Sequence, residues 1–151
     1  MNETLDKEKA VEIAKDVLLR LDQFKIVDKG IYIHLDNPSE IPKTGSIQDK
    51  LDNLIPSCQV CAMGALMIAY IDKYNNCNFE DFRLHLCSNL DIIYALKGFF
   101  SERNLKRIEK AFEGWDKGLA EYKFGLEYSS PRNRLRAICQ NIIDNGGEFR
   151  P

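Results

Sequence analysis

The chain has 151 residues, the usual size of one domain and enough to bury roughly two thirds of its unfolded surface. A hydrophobic share of 44% and a charged share of 29% argue against disorder, and 21 basic against 23 acidic side chains exclude a global attraction to nucleic acid or anionic lipid while leaving a local patch open. Five cysteines, an odd number, with no apolar core of signal-peptide type after Met1, lead to the expectation of reduced thiols in a cytoplasmic protein.

Taken in chain order, Thr4 is placed to cap a helix over residues 5–24, whose apolar positions Ala10, Ile13, Ala14, Val17, Leu21 and Phe24 recur at three and four residues. Residues 26–35 contain Gly30 and the β-branched and aromatic run Ile31-Tyr32-Ile33, which predicts at most one short extended element. Pro38, Pro42 and Gly45 mark a loop, and Ser46 caps a short helix to residue 54. The next segment, 58–74, contains the twelve-residue run from Val60 to Ile71 without a charge, too short to cross a bilayer. A helix apolar on every side must be buried on every side, so this is the expected central helix, with Ala62, Gly64, Ala65 and Ala69 allowing close neighbours.

A short helix is expected over 79–86 and another from Asn89 to Phe100. Ser101 then caps an amphipathic helix with the stripe Leu105, Ile108, Ala111, Phe112 and Trp115, and one more helix is expected within 116–126. Ser130-Pro131 starts the last helix, with cap and first-turn proline together. Leu135, Ile138, Cys139, Ile142 and Ile143 form its apolar face, Asn145-Gly146 stops it, and Phe149 is placed to fold back on the bundle. Six of these segments carry clear helix signals, and with the weaker ones after Ser46 and within 116–126 the expectation is a mainly α single domain, residues 1–151, of six or seven helices around a buried central one.

Three segments, Cys61-Ala-Met-Gly-Ala-Leu66, Ile108-Glu-Lys-Ala-Phe-Glu113 and the pattern from Arg134-Leu135 to Asn145-Gly146-Gly147-x-Phe149, resemble small phage and prophage proteins of unassigned function. The resemblance implies a mobile-element accessory protein. It implies no catalytic residue.

Three constellations offer chemistry. Cys58-x-x-Cys61 with Cys77 and either His85 or Cys87 offers four soft ligands, but the spacing after Cys77 departs from zinc patterns. Cys61 stands near a helix start, where the dipole and free amides lower a thiol pKa, and His34 and His85 are the two bases on offer. Ser130, Arg132, Arg134 and Arg136 gather at the start of the last helix, where three cations oppose the dipole; a bound anion or an acidic partner would relieve that conflict. No phosphate-cradling glycine loop, paired-histidine motif or nucleophile elbow is present, and no cofactor is expected. The expectation is a non-enzymatic protein that binds a macromolecule, with a protein partner rather than nucleic acid or membrane. The alternative is a small enzyme or anion-binding protein using Cys61 or the three arginines.

Overall fold

A computed structural model describes residues 4–22, 25–26, 33–35, 58–74, 89–113 and 130–151. These residues are mainly helical. They form α1 (Lys7–Arg20), β1 (Lys25–Ile26), β2 (Ile33–Leu35), β3 (Cys58–Val60), α2 (Ala62–Tyr74), α3 (Asn89–Leu96), α4 (Glu102–Glu113) and α5 (Pro131–Asp144). Five helices are thus seen among the described residues; the helices expected after Ser46, over 79–86 and within 116–126 lie outside them.

α1 starts two residues later than the sequence suggests. Its cap is Asp6, whose Oδ1 accepts from the Lys9 N–H at 3.1 Å, and Thr4 lies outside the helix. The carboxylate is the better cap because it adds a negative charge at the positive end of the dipole. Ala10, Ile13, Ala14, Val17 and Leu21 of the predicted stripe are all buried, while Phe24 lies outside the described residues and the helix ends at Arg20 rather than 24.

The central helix needs a larger correction. Residues 58–60 are not its first turn but a strand, the middle one of a three-stranded sheet ordered β1-β3-β2. β3 runs parallel to β1, with Ile26 opposite Val60, and antiparallel to β2, with His34 opposite Gln59 and Leu35 opposite Cys58. The expectation of at most one extended element near 26–35 is therefore too low. Short apolar runs do not distinguish strand from helix by period, and here two flanking strands satisfy the backbone on both sides.

From Val60 to Ala69 every residue is buried. α2 packs on α1, α3, α4 and β3, which is why its residues carry no charge before Asp72 and Lys73 in the last turn. Burying each of Met63, Leu66, Met67 and Ile68 contributes roughly 1.5–3 kcal/mol. α3 stops at Leu96 rather than running to Phe100, because Gly98 follows and the Leu96 carbonyl accepts from both Phe99 and Phe100 N–H at 3.0 Å. The Ser101 cap is as expected, its Oγ accepting from the Asn104 N–H at 3.0 Å, and Leu105, Ile108, Ala111 and Phe112 of α4 face inward. Trp115 lies outside the described residues.

Side-chain contacts fix the helix directions. Lys9 of α1 lies over the Tyr74 ring at the end of α2, and Glu12 meets Lys73 at 3.6 Å, so α1 and α2 are antiparallel. Lys7 meets Glu148 just beyond α5 at 3.5 Å, while Arg132 at the start of α5 reaches Leu21 and Asp22. α1 and α5 are therefore antiparallel too. Arg134 over the Phe112 ring and Asn104 against Phe149 give the same relation for α4 and α5. The four long helices close a ring, α1–α2–α4–α5, with direction alternating at each step and one continuous core inside.

α5 ends in a complete Schellman turn. Gly147 N–H donates to the Ile142 carbonyl at 2.8 Å and Gly146 N–H to the Ile143 carbonyl at 3.1 Å. Gly147 (φ +108°) has a second reason to lack a side chain: a Cβ there would stand 2.4 Å from the Lys7 carbonyl oxygen. The close approach binds the end of α5 to the first turn of α1. Phe149 then drops into the core, fully buried, as expected from the sequence.

Candidate functional site

The alternating ring puts two helix starts at one end of the bundle. The starts of α2 and α5, which carry Cys61 and the arginine cluster, lie there beside the last turns of α1 and α4. The two segments singled out for chemistry, 73 residues apart between Cys61 and Arg134, therefore share an end of the molecule.

Cys61 immediately precedes α2, and its carbonyl accepts the Ala65 N–H at 2.9 Å. Burial and the helix start act on its thiol in opposite directions. Burial dominates and raises the thiol pKa; the N–H groups of Gly64 and Met63 lower it, and the negative charges of Glu109 and Glu113 on α4 raise it further. The outcome is a pKa pushed up to about 11. Near neutral pH roughly one molecule in 10⁴ carries the thiolate. Helix position alone suggests a depressed pKa; the core around the sulfur and the facing acids on α4 reverse it. Cys139 of α5 is fully buried and pushed up to about 12 by burial alone.

The metal-ligand reading falls mostly outside the described residues. Cys58 belongs to β3 and Cys61 to the start of α2, while Cys77, His85 and Cys87 lie outside the described residues. Among the described residues no three His, Cys, Asp or Glu side chains group to hold a metal ion.

At the other helix start, Ser130 is the cap of α5, its Oγ accepting from the Asn133 N–H at 3.1 Å. The three guanidinium groups that follow diverge. Arg132 donates through Nη1 to the Leu21 carbonyl, the last turn of α1, and to Asp22 Oδ1 at 3.2 Å. Half-buried Arg134 lies over the Phe112 ring of α4, 5.7 Å from its centroid. Arg136 stays on its own helix and donates to Asn133 Oδ1 at 2.8 Å. Arg132 accounts for much of the conflict seen in the sequence. A cation at the start of α5 is unfavourable for α5, but this one sits on the negative end of α1, where a cation is favoured.

Sequence reasoning missed two asparagines. Asn104, buried on α4, donates to the Phe149 carbonyl at 2.9 Å and accepts from the Phe149 N–H at 3.0 Å. Asn141 on α5 does the same for the next residue, donating to the Arg150 carbonyl at 2.9 Å and accepting from its N–H at 2.8 Å. Each amide acts on the tail as a neighbouring strand would. The available signal was an asparagine next to Leu105 in the apolar stripe, since a buried amide needs partners for both its donor and its acceptor.

No helix among the described residues is long and apolar enough to cross a membrane. No protein-family model, curated protein or solved structure matches the chain.

Proposed function

We propose that this protein acts by binding another macromolecule, most plainly a protein, in the setting of a phage or prophage accessory gene. The observation that carries the reading is the state of Cys61. The thiol best positioned for nucleophilic catalysis is buried, burial raises its pKa, and among the described residues the charges acting on it are those of the acids Glu109 and Glu113. The resemblance of segments 61–66, 108–113 and 134–149 to phage and prophage proteins supplies the setting. Apolar contact groups are on offer at the surface: Leu19 on α1 is 80% exposed and Tyr94 on α3 is 73% exposed.

The test uses the tagged full chain as bait, with Leu19→Ser and Tyr94→Ser variants of unchanged melting temperature beside it. One macromolecule retained in stoichiometric amount by the wild type, and about tenfold less by at least one variant, is the expected result. Iodoacetamide labelling mapped to Cys61 runs in parallel and should be slow in the native protein. Rapid labelling of native Cys61 at neutral pH, with no macromolecule retained, overturns the proposal in favour of a cysteine enzyme.

A second reading, an anion site at the start of α5 using Ser130, Arg132, Arg134 and Arg136, is favoured by one observation. Arg136 is exposed, one turn into the helix and bonded only to a neutral amide among the contacts described above. Inorganic phosphate titrated against wild type and Arg136→Ala tests it. Saturable amide shifts at Ser130 to Arg134 that vanish in the variant support the site, and identical shifts in both reject it.

A further inference from the structure

We draw no further inference here: the strongest candidate, the bundle end that carries both the buried Cys61 at the start of α2 and Arg132, Arg134 and Arg136 at the start of α5, belongs to the site already described and rests on helix N-termini and a single thiol, with nothing beside them among the described residues that points to a ligand.

Discussion

The two ends of the helix ring are closed by different physics. At the end that receives the tail, closure is polar matching in a buried setting: Asn104 fulfils both hydrogen-bonding groups of Phe149, and Gly147 lies against the Lys7 backbone. At the opposite end closure is charge against dipole, with Arg132 over the last turn of α1. A buried amide that loses its partner costs its full desolvation, whereas a half-exposed charge loses an interaction that water and salt already weaken. The first end should therefore be rigid and intolerant of change, and the second tolerant and sensitive to ionic strength.

The largest effect is expected where backbone geometry and close approach coincide. Gly147→Ala places a Cβ against the Lys7 carbonyl in a left-handed conformation, and should destabilise the fold by about 2–5 kcal/mol. Chemical denaturation measures this; a loss under about 1 kcal/mol would show that the α1–α5 contact shifts at little cost. Next comes a paired test of the tail clamps. Asn104→Ala should cost about 2–4 kcal/mol, because it leaves the buried Phe149 N–H and carbonyl without partners. Asn141→Ala removes one bond more, because Asn141 Oδ1 also accepts from Asn145 Nδ2, but at a more exposed place, and should cost about 1 kcal/mol or less. Equal losses would mean that burial does not separate the two clamps.

Arg132→Ala should be smaller still, about 0.5–1 kcal/mol at low salt and less at high salt, since the side chain is 36% exposed. Thermal melts at two ionic strengths read the difference. A loss independent of salt would indicate that packing of the side-chain stem, not charge, holds the two helix ends together.

The smallest effect near neutral pH, and a growing one above it, belongs to the thiols. Burial raises the Cys61 and Cys139 pKa values from 9.0 to about 11 and about 12, favouring the neutral form in the folded state. Their contribution to stability is therefore whole below about pH 9 and is lost as pH climbs through 11 and 12. Peptide-mapped alkylation at pH 9 should find both thiols protected in the native protein and reactive once it is unfolded. Equal labelling in the two states would contradict the burial of both residues.

Much of the scaffold was legible in the residues. The stripes of α1, α4 and α5, the Ser101 and Ser130 caps and the Gly146 stop all follow from local spacing and cap chemistry, and local interactions determine them in the fold. What escaped depends on partners distant in sequence. Cys58 to Val60 reads as helix until β1 and β2 are placed beside it. Arg132 reads as a misplaced cation until α1 supplies a negative helix end 111 residues away. Cys61 stands at a helix start that lowers a thiol pKa, until the core packed around it, with Glu109 and Glu113 of α4 adding to the effect, raises it instead. In each case the residue type was noted correctly, and the three-dimensional neighbour decided its role.

The contact between the first and last helices has a consequence for how the chain comes into being. A ribosome delivers α1 long before α5, and at roughly 5–20 residues per second the interval is on the order of ten seconds. Throughout it the side of α1 that awaits α5 has no covering surface, and neither Phe149 nor its Asn104 clamp has met its counterpart. The ring closes only when α5 arrives, so this fold cannot be completed before Phe149 has been made.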